Sequence, residues 1–219
     1  MDRATFARPA FDSDRISIGA PHYSTLLSWV RRRIGPIDHE RRVLQIAGAF
    51  FDLTHDLHKL DRRAHWALSA AALVHDVGRC VDPKDHARIG AEMVLSEPSI
   101  KLPSTARRWL AYLTLYHRGP VPELGADEIL RPADDRLAML KVLGLLRAAD
   151  TLDSRSIEPP RLLFMRRDRN LEVSCLLREP CDRAEKAFCR PKKYRLMEQT
   201  IGCTVNVEVQ LGEARMLHA

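Results

Sequence analysis

Aromatic residues are scarce in this sequence and make up 6% of its 219 residues. Surfaces that bind single-stranded nucleic acid stack bases on aromatic rings, so this scarcity argues against such a surface. The apolar and charged fractions, 45% and 29%, are those of ordinary globular proteins, which excludes a fibrous or disordered chain. We therefore expect one sizeable folded domain, with or without a small appendage.

Cysteine is also sparse, and the five cysteines show no CxxC spacing. Their odd number argues against a disulfide framework, and we interpret them as small, buried apolar side chains rather than metal or redox groups. The sequence contains no signal peptide and no apolar run long enough to cross a bilayer. These absences predict a cytoplasmic protein with no membrane partner.

The sequence has an excess of basic over acidic residues. The formal net charge is +6 and the calculated isoelectric point is about 9.3. A basic excess of this size suits an anionic partner, whether a phosphate ester, a polyphosphate or a nucleic acid. Nucleic acid is the least favoured of these, because its only further support is the charged segment "RRDRN", and charged turns are usually solvated.

Apolar residues recur at helical spacing from Tyr23 to about Asp153 and predict six successive helices. The segments are "STLLSWVRRRI", "HERRVLQIAGAFFDLTHDL", "DRRAHWALSAAALVHDVG", "DHARIGAEMVLSE", "STARRWLAYLTLYH" and "DDRLAMLKVLGLLRAADTLD". Residues with side chains that cap helix amino termini stand at or near five of the starts, namely Asp38, Asp61, Asp85, Ser104 and Asp134.

The pattern changes after about residue 157. "RLLFMRRDRNLEVSCLL" predicts a β-hairpin, "KKYRLMEQT" a helix, and the alternating "CTVNVEVQL" a further strand. We therefore predict a mainly α fold: a flexible arm over residues 1–21, a helical bundle over 22–157, and a small α/β subdomain over 158–219 packed on it. The tail strands would also offer a surface through which two chains pair as a homodimer.

The segment "ALVHDVGRCV" places His75 and Asp76 at the end of an apolar helix, just before Gly78. Adjacent helical residues point about 100° apart, so this pair can share one ion only if the ion lies near the helix end. Taken alone, an HD dipeptide is common, and a hydrogen-bonded helix end would explain it equally well.

Four more residues of ligand type lie at helix boundaries: His39, His86, His117 and Asp150. If the helices pack as a bundle, these side chains could meet at one end of it. Imidazole and carboxylate without thiolate suit a hard or borderline divalent ion rather than a structural cysteine-rich zinc site. We expect one or two ions, with Mn²⁺ or Mg²⁺ preferred and Fe²⁺, Co²⁺, Ni²⁺ or Zn²⁺ as alternatives.

The order His39, His75-Asp76, Asp150 resembles the H…HD…D signature of the HD superfamily of metal-dependent phosphohydrolases. More narrowly, "DHERRVLQIAGAFFD", "AAALVHDVGRCV", "DHARIGAEMV", "YHRGPVP" and "LLRAADTLDSRSI" resemble the C-terminal HD-like region of the exopolyphosphatase/guanosine pentaphosphate phosphatase (Ppx/GppA) family. The resemblance runs from about residue 23 to 210 and implies an HD-domain helical bundle of about six helices with a comparable α/β tail.

The resemblance also implies roles for individual residues. It makes His39, His75, Asp76 and Asp150 the metal ligands, with His86 and His117 binding a second ion or the substrate phosphate. Arg79 and Arg118 match cationic positions that would contact phosphate; the alternative is that they are cations near helix C-termini that interact with the helix dipole. Arg147 and Arg155, near the Asp150 helix end, are further candidates. Asp76 and His117 are the expected catalytic residues.

One departure from the family is large. Full-length members carry an N-terminal actin-like ATPase-type domain that holds the catalytic carboxylate for polyphosphate hydrolysis, and these 219 residues contain none. We therefore do not expect that activity to carry over, whereas the complete set of HD ligands predicts that the HD centre itself works.

Two functional hypotheses follow. In the first, the protein is a metal-dependent phosphohydrolase that acts on a small phosphorylated anion, such as a nucleotide, an alarmone or a short polyphosphate, through an activated water. In the second, it is a non-catalytic module that binds polyphosphate or an alarmone. The remaining histidines of the helical segment, His55, His58 and His65, we interpret as solvated.

Overall fold

The structure is a computed structural model and describes residues 5–7 and 20–212. The predicted flexible arm lies outside the described residues, apart from the short strand β1 (Thr5–Ala7) and the start of the first helix. None of the described helices is both long and apolar enough to span a bilayer.

Within the described residues, all six predicted helices form, and one extra helical turn lies between the second and third of them. Their bounds are α1 (Ala20–Ile34), α2 (Asp38–Leu53), the single-turn α3 (His55–His58), α4 (Arg62–Val74), α5 (His86–Ser96), α6 (Ser104–Tyr116) and α7 (Arg136–Thr151). The chain is therefore mainly helical, as the apolar periodicity predicted.

Helix α4 is the centre of the helical body. From Trp66 to Val74 every residue is buried, and Ala67, Ala70 and Ala71 are completely inaccessible to solvent. A helix that is apolar on all sides has to be surrounded, and its alanines let the neighbouring helices approach closely. Helices α1, α2, α6 and α7 pack around it, so its C-terminal end lies where the surrounding elements meet.

The helix starts agree only in part with the predicted caps. Asp61 caps α4 by accepting a hydrogen bond from the Ala64 amide. At α7 the cap is Asp135, which accepts from Ala138, whereas the predicted Asp134 accepts from the Arg131 amide in the preceding loop. Two adjacent aspartates satisfy the same sequence rule, so only the turn geometry decides between them.

Helix α4 also ends earlier than expected, at Val74 rather than at Gly78. His75 caps it, and Val77–Cys80 form a turn of 3₁₀ helix. A Cβ at Gly78 would lie 2.2 Å from the His86 carbonyl oxygen and 2.5 Å from the Gly90 amide nitrogen. Gly78 is thus required for the close approach of α5, which brings His86 next to the end of α4.

The C-terminal subdomain is built on the predicted hairpin and strand. Strands β2 (Arg161–Arg167) and β3 (Asn170–Leu177) pair antiparallel, and β4 (Thr204–Leu211) pairs parallel with β3. Parallel neighbours need a crossover, which here contains α8 (Ala184–Phe188) and α9 (Pro191–Met197). Strand β1 adds to the other edge, giving the order β1-β2-β3-β4.

Helix α9 packs the subdomain onto α7. A Cβ at Gly144 of α7 would lie 2.9 Å from both the Cα and the amide nitrogen of Met197. This approach brings α8, α9 and the segment between them beside the C-terminal end of α7, where Asp150 lies.

The histidines outside the candidate site are less solvated than expected. His55 is exposed, but His65 is half-buried and His58 is buried. The two ring nitrogens of His58 contact the Phe51 carbonyl and the Leu60 amide. The interpretation of His58 as solvated is therefore wrong: its ring satisfies backbone groups in the link between α2 and α4.

Candidate metal centre

All six predicted ligand residues lie at one end of the helical body. His39 is in the first turn of α2, His86 is the first residue of α5, and Asp150 is in the last turn of α7. His75 and His117 follow the last residues of α4 and α6, and Asp76 comes next to His75. Each of these helices thus contributes residues to the site from one of its ends and not from along one face.

These residues form two groups that share Asp76. In the first group, Nε2 of His39 lies 3.3 Å from Nε2 of His75 and 3.2 Å from Oδ1 of Asp150. In the second, Oδ1 of Asp76 lies 2.9 Å from Nε2 of His86 and 3.7 Å from Nε2 of His117. The other oxygen of Asp76, Oδ2, lies 3.9 Å from Nε2 of His39. The Asp76 carboxylate therefore has one oxygen toward each group.

In each of the four histidines, an oxygen atom contacts Nδ1 and so orients the imidazole ring. Nδ1 of His75, His86 and His117 lies 2.9, 2.8 and 2.6 Å from the carbonyl oxygens of Ala72, Pro83 and Thr114, respectively. A carbonyl oxygen only accepts, so each Nδ1 carries the proton and donates it. Histidine ligands of metals are usually held in this way, with Nε2 left for the ion.

The facing Nε2 atoms need a cation between them. Nε2 of His86 lies 3.2 Å from Nε2 of His117, and the His39 and His75 pair is equally close. With the protons on Nδ1, neutral rings would direct two lone pairs at each other in a buried site, which is repulsive. A proton or a metal ion in each gap removes that repulsion.

The electrostatics of the first group favour positive charge. Burial by itself lowers the pKa of His75, but the Asp150 and Asp76 carboxylates outweigh it and raise that pKa to about 9. Burial likewise opposes ionisation of Asp150, yet hydrogen bonds from His39 and His75 hold its pKa well below the usual value. Carboxylates that stay ionised beside imidazoles are a suitable environment for a divalent cation.

Asp153 supports His39, and the sequence analysis did not identify it. Its Oδ2 lies 2.5 Å from Nδ1 of His39, and its Oδ1 accepts from Nε of Arg42 at 2.5 Å. Burial opposes ionisation of Asp153, but the hydrogen bonds from His39 and Arg42 lower its pKa. Asp153 follows Asp150 by three residues in "ADTLD", but this spacing does not by itself mark it as the partner of His39.

Arg155 joins Asp76 to a second residue that the sequence analysis missed. Its Nη2 donates to Oδ2 of Asp76 at 2.9 Å and forms an ion pair with Glu40. Glu40 is completely buried, and its Oε2 has no hydrogen-bond partner among the described residues. Arg155 therefore links the Asp76 carboxylate to Glu40 of α2.

A cleft of about 570 Å³ opens over the two groups. Arg79, Arg118 and Arg155 line it, as expected for groups that would contact a phosphate. Arg147, the fourth predicted candidate, is not among the lining residues, and its guanidinium donates to the carbonyl oxygens of Tyr116 and Gly119. Its contacts brace the chain on either side of His117.

The C-terminal subdomain supplies part of the cleft wall. Arg183, Lys186, Arg190 and Lys193, which lie on α8, on α9 or next to them, line the cleft opposite the helix ends. Nothing in their sequence pattern marked them as site residues, because they lie more than thirty positions after Asp150 in a segment of ordinary charge.

The donor set fits a divalent ion. Two clusters of buried side chains, His39, His75 and Asp76 and then Asp76, His86 and His117, could each hold one. Nitrogen and carboxylate donors without thiolate fit Mn²⁺, Fe²⁺, Co²⁺ or Mg²⁺. No protein-family model matches the chain, and a search of curated proteins found no match.

Proposed function

We propose that this protein is a divalent-metal-dependent phosphohydrolase of the HD type. One observation carries the proposal: two pairs of Nε2 atoms, each oriented for metal binding, share one carboxylate under a cationic cleft. The order His39, His75-Asp76, Asp150 supports the HD assignment, because these residues meet in one site although they are far apart in sequence.

The residues divide between two ions. His39, His75, Asp76 and Asp150 would hold the first, and Asp76, His86 and His117 would hold the second. Bound there, a divalent ion supplies Lewis-acid activation of water and of a phosphoryl group. Mn²⁺ and Mg²⁺ are the ions we propose first.

The reaction is hydrolysis at phosphorus. The oxygen of water forms a new P–O bond, the bond to the leaving oxygen breaks, and the leaving oxygen takes up a proton. The products are a phosphate and an alcohol or a shortened phosphate chain. Arg79, Arg118 and Arg155 neutralise the non-bridging oxygens as their charge shifts, and a guanidinium is suited to this because it donates to two oxygens at once.

Asp76 and His117 are the residues closest to the chemistry. The Asp76 carboxylate can accept a hydrogen bond from the attacking water and fix its position. Burial is the main cause that lowers the pKa of His117 to about 4. His117 is therefore neutral at pH 7 and keeps its Nε2 lone pair available.

The five cysteines are all unpaired. Free thiols support the proposed location in a reducing cytoplasm. The proposed partner is a small phosphorylated anion, which the cationic lining of the cleft would attract.

A panel assay tests this proposal. The metal-free protein is supplied in turn with Mn²⁺, Mg²⁺, Co²⁺ and Ni²⁺ and assayed for phosphate release from nucleoside monophosphates, ppGpp and tripolyphosphate. Turnover that requires a metal supports the phosphohydrolase. Tight binding of tripolyphosphate without turnover under any metal would instead favour the binding module.

A further inference from the structure

A second cavity, of about 340 Å³, lies between α2, the end of α7 and the start of β2. None of the candidate ligands or phosphate-contacting arginines lines it. Small-molecule sites have volumes of this order, are mostly apolar, and commonly lie where two units of a protein pack together. The walls of this cavity are likewise mostly apolar and consist of Ile46, Leu152, Pro160, Leu162 and Leu163.

Three polar side chains also line the cavity, and each has nitrogen atoms without a hydrogen-bond partner among the residues that the structure describes. Arg42 donates from Nε and Nη2 to the two oxygens of Asp153, at 2.5 and 3.1 Å, which leaves its Nη1 unpartnered. The guanidinium of Arg161 and the side-chain amide of Gln45 have no partner within the described part of the chain. These nitrogens can all donate to a bound oxygen.

The charges of the lining residues leave one positive charge over. Arg42 and Arg161 are cationic, and Asp153, which also lines the cavity, pairs with Arg42. Arg161 forms no ion pair with any carboxylate of the described residues. A monoanion would balance this charge, and a carboxylate is suited to it because guanidinium groups bind carboxylates through charge-assisted hydrogen bonds. The apolar walls favour an apolar body on that carboxylate.

We propose that this cavity is an effector site for a small apolar carboxylate, and that binding there strengthens metal binding through Arg42, Asp153 and His39. The site itself is independent of the proposed function, whereas its effect rests on the proposed metal centre.

The connection between the cavity and the metal centre consists of two hydrogen-bonded contacts. Oδ1 of Asp153 accepts from Nε of Arg42, and Oδ2 of Asp153 lies 2.5 Å from Nδ1 of His39. A carboxylate bound to Nη1 of Arg42 would share the positive charge that now neutralises Asp153. Asp153 would then attract the Nδ1 proton of His39 more strongly, and a more basic imidazole is a better metal ligand at Nε2.

Calorimetry on the metal-free protein in EDTA tests the site. The probe is 4-tert-butylbenzoate, and 4-tert-butylbenzamide has nearly the same shape without the charge. We expect the carboxylate to bind at least about tenfold more tightly than the amide, because hydrogen bonds to charged groups are the stronger ones. Equal affinities, or no saturable binding of the carboxylate, would overturn the site.

Two arginines of β2 provide a matched pair of variants. Arg161 and Arg167 are both exposed on this strand, but Arg167 does not line the cavity. Arg161→Gln should weaken binding of the carboxylate about tenfold, and Arg167→Gln should leave it unchanged. Equal effects of the two variants would refute the site. So would weakening by Arg118→Gln but not by Arg161→Gln, because the carboxylate would then lie in the cleft over the metal groups.

Competition for Mn²⁺ against a chelator tests the effector role. Saturating 4-tert-butylbenzoate should raise the affinity for Mn²⁺ about fivefold, and Mn²⁺ should raise the affinity for the carboxylate by the same factor. Arg161→Gln should abolish both shifts. An unchanged affinity for Mn²⁺ with the cavity occupied would overturn the effector role. If no Mn²⁺ binds at all, the metal centre fails and the effector role with it, while the measurement in EDTA still decides whether the cavity is a carboxylate site.

Discussion

The Nε2 atoms of His39 and His75 face each other at 3.3 Å, while Nδ1 of each ring is directed at an oxygen, of Asp153 and of Ala72 respectively. This arrangement is unfavourable for two neutral imidazoles and favourable around a cation. Because His86 and His117 repeat it at 3.2 Å on the other side of Asp76, the two pairs favour a centre with two cations.

Asp76 is the residue whose loss would affect both of the proposed ions. Asp76→Asn keeps the size of the side chain but removes the charge that faces both groups, so we expect bound metal and hydrolysis to be lost together. Metal content by elemental analysis and phosphate release are measured on the same preparation. Asp52→Asn, an exposed change on α2, is the control, and full turnover by Asp76→Asn would refute the assignment.

Asp153 is expected to act on the metal through His39. Asp153→Asn removes the negative charge behind Nδ1 of His39, and loss of such support typically weakens metal affinity about ten- to a hundredfold. The measurement is competition for Mn²⁺ against a chelator of known affinity.

A second buried aspartate provides the control for Asp153. Asp134 also pairs with an arginine, with Nε of Arg108 at 3.2 Å, and no candidate ligand contacts it among the described residues. Asp134→Asn should lower thermal stability but leave the metal affinity unchanged. Equal affinities in the two variants would mean that Asp153 only stabilises the fold.

Gly78 tests the close approach of α5 to the end of α4. Replacing glycine by alanine usually stabilises a compatible site by about 0.4–1 kcal/mol. At Gly78 the new Cβ would meet backbone atoms of His86 and Gly90, and such overpacking costs about 1–3 kcal/mol or more. Gly78→Ala should therefore lower the free energy of unfolding, measured by urea denaturation.

Gly48 provides the matched control for that experiment. It lies within α2, and a Cβ there would meet nothing within 4 Å. Gly48→Ala should stabilise the protein by up to about 1 kcal/mol, since alanine has the higher helix propensity. If Gly78→Ala were as stable as Gly48→Ala, the close approach would not hold in solution.

The ionisation of Glu97 should make the stability of the fold depend on pH, at a position remote from the candidate metal centre. Hydrogen bonds from Ser99 lead the contacts that lower the pKa of Glu97 to about 2, and Trp29 and Arg33 of α1 add to them. A lowered carboxyl pKa stabilises the folded state above the unfolded value of about 4.5, and this stabilisation is lost as the pH falls toward 2. Glu97→Gln should thus be less stable than wild type at pH 7.

The two proteins should become equally stable near pH 2. Their thermal midpoints are compared between pH 2 and 7 in buffers of one ionic strength. A gap that stays constant over this range would show that the charge of Glu97 is not what links α1 to α5.

The sequence predicted the helices well because their apolar periodicity is long and regular. It also identified His39, His75, Asp76, His86, His117 and Asp150, since each stands at a helix boundary. Where α4 ends could not be predicted, because the turn at Val77–Cys80 depends on the approach of α5 to Gly78.

The supporting residues were missed for a different reason. In the sequence, nothing distinguishes Glu40 and Asp153 from other acidic residues. Only the packing of α2 against α7 brings them next to the candidate metal ligands. Lys186 and Lys193 belong to the α/β tail, and their place in the cleft depends on how α9 docks on α7 at Gly144. Such contacts between distant segments leave no local pattern.

The stoichiometry of Mn²⁺ bound to the purified protein tests the central claim most directly. Metal-free protein is titrated with Mn²⁺ and the bound ion is counted by equilibrium dialysis and elemental analysis. Two ions per chain is the predicted result. Fewer than one ion per chain at saturation would contradict the metal centre and the function proposed from it.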